Sequence, residues 1–368
     1  MRCRIVLDER SRSWIIEKMA RRLCDSLCAL GVEAEVGSSW SPAVDINHFM
    51  MFHFAEAEQG AVSTMFITHV DDPLKVTMIR DRLAGNVDLG VCMSRGTVRA
   101  LIAEGVPREG LCYISPAHDG IITPRRVRVG ITTNLYPDGR KREGFLARLA
   151  SELNLEFFHF EIFGKGWEKT AAQLRAGGAS VRVVAGTDDC IADYEHIKQA
   201  IGEFDYYLYL GLDEGSLGTL DALAAGVKTI VTPQGFHLDI PGGITHPFTS
   251  YEELLGVFRE LIRERGSRVE SVSGWTWENY ARHHVMVWRA LLDGGRASVA
   301  LLPSQSLEAS EGSADVPVRR LPGVNVGGYL RLLNRYRWHM FKSYYMPKVR
   351  RKCFAAFSRV GRLFSKRR

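Results

Sequence analysis

DYYLYLGLDEGSLGTLDALAAGVKTIVTPQG, residues Asp205 to Gly235, reads as strand, glycine-rich turn, helix and strand. Tyr206 to Leu210 is a short aromatic and apolar run of the kind a buried strand uses. Gly215 and Gly218 let a backbone come close to a ligand, and the helix expected over Thr219 to Ala225 stops at Gly226. A helix that starts directly after a glycine turn presents unpaired N–H groups and a partial positive charge, which suits a diphosphate. Asp213, Glu214 and Asp221 frame this turn with carboxylates. An ordinary βαβ crossover turn accounts for the same spacing, so the segment by itself leaves both readings open.

Working outward, the remaining chain repeats the pattern. An apolar run at Arg4 to Leu7 is followed by Trp14, Ile15, Met19, Leu23, Leu27 and Leu30 at helical spacing, ending at Gly31. Strands are expected at Glu33–Val36, His48–Phe54, Thr64–Thr68, Leu89–Met93 and Leu111–Ile114, with a helix at Thr97–Glu104. After the turn-rich SPAHDGIITPRR a new α/β run begins. It has strands at Val127–Thr132, Glu156–Ile162 and Val181–Val184, and helices at Glu143–Leu153, Trp167–Arg175 and Asp193–Ile201. Helices at Tyr251–Arg265 and Trp277–Leu292 close the series. Such alternation predicts an α/β chain of two Rossmann-like domains with mostly parallel sheets. The expected limits are 1–121, 122–292, a Ser, Gly, Ala and Pro-rich linker at 293–326, and a basic tail at 327–368.

Composition narrows the class. The chain has 368 residues, 46% hydrophobic and 24% charged, enough for two cores and far from a disordered composition. No run approaches the roughly 18 to 20 apolar residues of a membrane-spanning helix. MRCRIVLDERSR lacks the apolar core of a signal peptide, so a cytoplasmic body is expected. The seven cysteines never stand as CxxC and read as free thiols in a reducing compartment. Residues 316–368 contain fifteen Lys and Arg and no Asp or Glu, so the +6 of the whole chain leaves −9 on the first 315 residues. In that tail Phe354, Phe357, Val360, Leu363 and Phe364 form one apolar stripe among cations. This suits a helix lying on an anionic membrane surface, with partner docking and nucleic-acid binding as competing uses. No nucleic-acid recognition fold precedes it, and no nucleic-acid partner is expected.

The opening stretch resembles the donor motif of the GT-B glycosyltransferases, above all the large retaining group known as family four. That motif is a Glu, seven residues, a second Glu, and a small-residue helix ending in Gly. Asp213 and Asp221 stand at this spacing, LDALAAG follows, and KTIVT occupies the place of the next strand. Both family glutamates are aspartates here, and Glu214 is placed to take over the first role.

The resemblance implies a GT-B fold, a nucleotide diphosphate sugar as donor and no cofactor. It implies that Asp213 or Glu214 meets the donor sugar, that Asp221 meets a ribose hydroxyl, and that Gly215, Ser216, Leu217, Gly218 and Thr219 cradle phosphate. Arg140 and Lys141, after Thr132, correspond to the loop that neutralises the diphosphate, and Gly164 and Lys165 of FGKGW to the turn near the base. Without the resemblance, the two cations read as solvated loop charge.

On the acceptor side the resemblance favours His69, just past an apolar strand, as base or sugar contact. Asp71 and Asp72 beside it read equally as helix N-caps before Pro73. His118, Asp119 and His237 are second-rank candidates, and Arg10 and Arg12 are candidates for an anionic acceptor on charge alone. No DxD motif on a suitable loop marks a metal site. The implied activity is hexosyl transfer to a lipid-linked glycan at the inner face of a membrane, in polysaccharide, lipopolysaccharide or glycolipid assembly. A sugar-nucleotide epimerase of the same fold and a non-catalytic scaffold are the alternatives.

Overall fold

The computed structural model describes residues 1–9, 14–68, 70, 73–187 and 189–307. Two six-stranded sheets, parallel throughout, organise them.

The first sheet uses β1 (Arg2–Val6), β2 (Glu33–Gly37), β3 (Ile46–Phe49), β4 (Val62–Ile67), β5 (Leu89–Cys92) and β6 (Leu111–Tyr113), in the order β2-β1-β3-β4-β5-β6. Every residue of β3 and β5 is buried. Parallel strands covered on both faces need apolar side chains at successive positions, which explains the uninterrupted runs. Phe66 and Val91 point to one face, where α1 (Trp14–Ala29) and α9 (Trp277–Ala300) add Leu23, Leu27, Trp288 and Leu291. Their neighbours Met65, Ile67 and Cys92 point to the other, against α2 (Pro73–Ala84) and α3 (Arg95–Ala103).

The second sheet has β7 (Val127–Thr132), β8 (Phe158–Phe163), β9 (Ser180–Val184), β10 (Tyr206–Tyr209), β11 (Lys228–Val231) and β12 (His246–Pro247), in the order β12-β11-β10-β7-β8-β9. This is the doubly wound Rossmann order, and its direction of winding reverses between β7 and β10. The flanking helices are α4 (Gly144–Glu152), α5 (Glu168–Ala176), α6 (Cys190–Ile201), α7 (Leu217–Ala224) and α8 (Tyr251–Glu270). Leu146, Leu149, Leu254 and Phe258 cover one face, packing on Phe158, Phe160 and Ile162.

The chain crosses between the sheets twice. Going out, His118 N–H donates to Trp275 O at 2.9 Å, and Asp119 takes Lys18 at 2.5 Å and the Trp277 indole N–H at 2.8 Å. Coming back, α9 buries Tyr280, Ala281, Val287 and Trp288 in the core of the first sheet.

Residues 293–300, expected to open a linker, continue α9 with a break at Gly295 (φ 67°). Val299 is buried in the first core, which holds the segment in place. The buried Gln305 then pairs with the backbone of Tyr113, accepting from its N–H at 2.8 Å and donating to its carbonyl at 3.1 Å. The expected strand His48–Phe54 ends at Phe49, and Phe52–Phe54 forms a short 3-10 turn. The basic tail 327–368 lies outside the described residues. Among those described, no helix is long and apolar enough to cross a membrane.

Candidate functional site

In an open α/β sheet, ligands bind where the winding reverses, outside the carboxyl ends of the two strands concerned. Here those ends are Thr132 to Asn134 after β7 and Leu210 to Ser216 after β10. The quoted stretch therefore folds into the one crevice that the topology of the second sheet provides.

Asp213, just after β10, is the most heavily bonded carboxylate of this turn. Its Oδ2 receives Lys141 Nζ at 2.7 Å, and its Oδ1 receives the Tyr209 hydroxyl at 2.5 Å and the Gly215 N–H at 3.2 Å. Lys141 is buried and also meets the Tyr209 oxygen at 2.5 Å. Burial pulls the Asp213 carboxyl upward, but the hydrogen bonds from Lys141, Tyr209 and Gly215 outweigh it and leave the group below the usual carboxylate range. Burial, followed by the carboxylate it donates to, pushes the Tyr209 phenol up, so it remains a donor.

A second set holds the start of α7. Tyr207 Oη lies 2.8 Å from both Thr132 Oγ1 and Ser216 Oγ, and burial raises its pKa to about 12. His237 Nδ1 lies 3.1 Å from the Thr232 carbonyl, which only accepts, so this nitrogen carries the proton. Nε2 is then the acceptor for Ser216 N–H at 3.1 Å and the Thr219 hydroxyl at 3.0 Å. A side chain at Gly218 would collide with Thr132 Oγ1 and the Tyr207 hydroxyl, and Gly215 has φ 118°, where L-residues are strained. These two glycines are what the packing of turn on strand requires.

Other residues singled out in the sequence have other surroundings. Arg140 is exposed, stacks over Tyr136 at 4.2 Å and pairs with Asp138 at 3.3 Å, while its carbonyl accepts from Leu212 N–H at 2.8 Å. Glu214 is exposed, and its backbone carbonyl accepts from Phe236 N–H. Leu217 is 74% exposed at the mouth of the turn. Gly164 N–H donates to Val184 O, and Lys165 N–H to Asn134 Oδ1 at 2.8 Å. Asp221 accepts from the Tyr194 hydroxyl at 3.1 Å. Tyr194 joins Thr132, Asn134, Tyr136 and Gly164 around a cavity of about 400 Å³. His69, Asp71, Asp72, Arg10 and Arg12 lie outside the described residues. His118 and Asp119 belong to the crossover and not to this crevice.

Tyr207, Tyr209, Arg142 and Tyr194 are site residues the sequence reading did not single out. Tyr207 and Tyr209 stand two apart on a strand and so share a face, which is a readable signal. Arg142, in the left-handed region at φ 46°, donates to Leu210 O at 2.6 Å, to Thr249 O at 2.9 Å and to the Thr232 hydroxyl. It pins the loop after β7 to the ends of β10 and β11, and no local pattern announces it. Among the described residues no group of His, Cys, Asp and Glu is arranged to hold a metal ion.

Two Rossmann-like domains joined by two crossovers, with the last long helix returned to the first domain, define the GT-B fold. No family model and no curated protein matches the chain. Solved structures do. The Anabaena protein HepE, crystallised with UDP and glucose, is 12% identical over 79% of this chain and 100% of its own, with a TM-score of 0.32. A glycosyltransferase from Rickettsia africae is 11% identical over 80% of this chain and 99% of its own, with a TM-score of 0.33. The lipopolysaccharide outer core galactosyltransferase WaaB is 12% identical over 77% and 98%, with a TM-score of 0.31.

Proposed function

We propose that the chain is a glycosyltransferase that moves a hexose from a nucleotide diphosphate sugar to a lipid-linked glycan, without a metal ion. The observation that carries this reading is the carboxylate of Asp213, held between Lys141, Tyr209 and Gly215 at the point where the second sheet reverses. A fixed, partly open carboxylate beside a glycine turn and a helix start is suited to sugar hydroxyls on one side and phosphate on the other.

In the reaction the bond from the sugar anomeric carbon to the diphosphate oxygen breaks. The acceptor hydroxyl forms the new bond and gives up its proton. Charge then gathers on the leaving diphosphate at the turn 215–219, where the N–H groups of Gly215, Ser216 and Thr219 are already given to Asp213, His237 and the Ser216 carbonyl. The Leu217 and Gly218 amides therefore meet it, together with the exposed Arg140, whose ion pair among the described residues is the solvated one with Asp138. Lys141 acts through Asp213, which takes its charge. Asp213 and Glu214 face the sugar, and Asp221, with Tyr194, faces the ribose. Gly164 and Lys165 line the approach to the base, and His69 serves the acceptor as base or contact. The basic tail 327–368 holds the enzyme on the inner face of an anionic membrane, where polysaccharide or glycolipid precursors are assembled.

A transfer assay with labelled nucleotide sugars and lipid-linked oligosaccharides, in chelator, tests the reading. The expected result is acceptor-dependent release of nucleoside diphosphate, lost in Asp221→Ala. An isomerised sugar nucleotide formed without acceptor would assign the fold to epimerisation, and no product with any donor would leave a scaffold.

A further inference from the structure

The two crossover segments meet on one side of the molecule. His118 N–H donates to Trp275 O, and His118 Nε2 lies 3.1 Å from Val272 O. Six and seven residues after His118, the carbonyls of Pro124 and Arg125 accept from the Arg265 guanidinium. The outgoing segment 118–126 therefore runs alongside the end of α8 and the turn after it. Between these two ties Ile121 and Ile122 stand 75% and 79% exposed, and Val269, Val272 and Trp275 on the neighbouring strip are exposed too.

Cations border this apolar strip. Arg125, Arg126, Lys228, Arg265 and Arg268 surround a groove of about 490 Å³. Asp205 occupies Arg125, and Glu264 pairs with Arg268 at 3.6 Å, while Glu270 accepts from Ser273. Arg126 and Arg265 are oriented by neutral carbonyls, and Arg265 also stacks over Phe157 at 4.2 Å. Lys228 stands over the Tyr206 ring.

We infer that this face is a docking surface for an anionic lipid bilayer, with Ile121, Ile122 and Trp275 entering the interfacial layer and the arginines meeting phosphate. Exposed large apolar side chains cost little when they leave water for that layer, and each nearby Arg or Lys adds attraction to an anionic leaflet. A protein partner of matching shape would not need the excess of cations. This inference deepens the membrane attachment proposed above for the tail, and it places a second contact on the folded body at the crossing between the domains.

Hydrogen–deuterium exchange of the full chain, with phosphatidylglycerol vesicles and with phosphatidylcholine vesicles, separates the two contacts segment by segment. The expected result is exchange slowed by about threefold or more at 118–127 and 265–276 on the anionic vesicles only. The variant Ile121→Ser, Ile122→Ser, Arg126→Glu, Arg268→Glu should lose that protection and about tenfold in vesicle partitioning. Protection confined to 327–368 would overturn the inference and leave the tail contact standing. Equal protection on neutral vesicles, or concentration-dependent protection without vesicles, would overturn it in favour of simple apolar insertion or a second copy of the chain. None of these outcomes bears on sugar transfer, which the assay above reads separately.

Discussion

In the turn after β10 Lys141, Tyr207, Tyr209, Asp213 and His237 are all hydrogen-bonded to one another or to the turn, whereas at α9 four buried polar atoms have no partner among the described residues. Those four are His48 Nε2, His284 Nε2, the Tyr280 hydroxyl and Trp288 Nε1. Their rings are in contact, with centroids 4.4 Å apart for Tyr280 and His284 and 5.1 Å for His48 and His284. The first cluster sets a carboxylate and a helix start in fixed positions. The second contributes ring area to the seat of α9 but carries polar atoms that cost about 1–3 kcal/mol each when left unsatisfied. Buried polar groups are therefore positioning devices in the first cluster and a weakness in the second.

The largest effect expected from breaking this contrast is in the first set. Asp213→Ala leaves Lys141 buried and unpaired, and should cost about 3–5 kcal/mol in urea unfolding. Adding Lys141→Met should recover a large part of that loss. Losses that simply add would show that the two side chains are not coupled.

Acid should strike the second set. Burial lowers His284 from an ordinary 6.5 to about 4, and His48 shifts in the same direction. Between these values the unfolded chain binds a proton that the folded chain refuses, so stability is full above about 6.5 and falls as the pH drops toward 4. One histidine accounts for about 3 kcal/mol across that window. Denaturation midpoints measured from pH 7 to pH 4 should show the slope, and His284→Leu should flatten it.

Removing one hydroxyl from each cluster sharpens the comparison further. Tyr209→Phe deletes a hydrogen bond to a charged group and should destabilise by about 2 kcal/mol. Tyr280→Phe deletes a hydroxyl that has no partner and should be neutral or stabilising by about 1 kcal/mol. Equal losses would remove the distinction. Smallest of all, Tyr194→Phe breaks an exposed hydrogen bond to Asp221 and should move unfolding by less than about 0.5 kcal/mol, while weakening nucleotide binding.

Most strands of both sheets were legible in the sequence, because a parallel strand buried on both faces is a continuous apolar run: Val127–Thr132 matches β7 from end to end. Among the α-helices and strands two were not given limits, although Asp71 and Asp72 had marked a possible helix start at Pro73. In α2 charged and apolar residues alternate without a clean stripe, and Lys75 is itself buried; β12 has only two residues. Within the site, the carboxylates and glycines were visible because their spacing is local. The tyrosines were not, because Tyr207 and Tyr209 are core residues by composition and acquire their role only through contacts with Thr132, Lys141 and Asp213, which lie from 4 to 75 positions away. Lys141 shows the same limit: its sequence context reads as a loop cation, and only the fold reveals that Asp213 occupies it.

The central claim is that the crevice between β7 and β10 is a preformed nucleotide-sugar site. Calorimetry of the full chain with UDP, GDP, dTDP, CMP and ADP sugars, in chelator, tests it most directly. The account predicts saturable binding of one donor class, weakened at least tenfold by Asp221→Ala in a protein that melts as the parent does. Absence of binding to every donor, or binding that Asp221→Ala leaves unchanged, would contradict it.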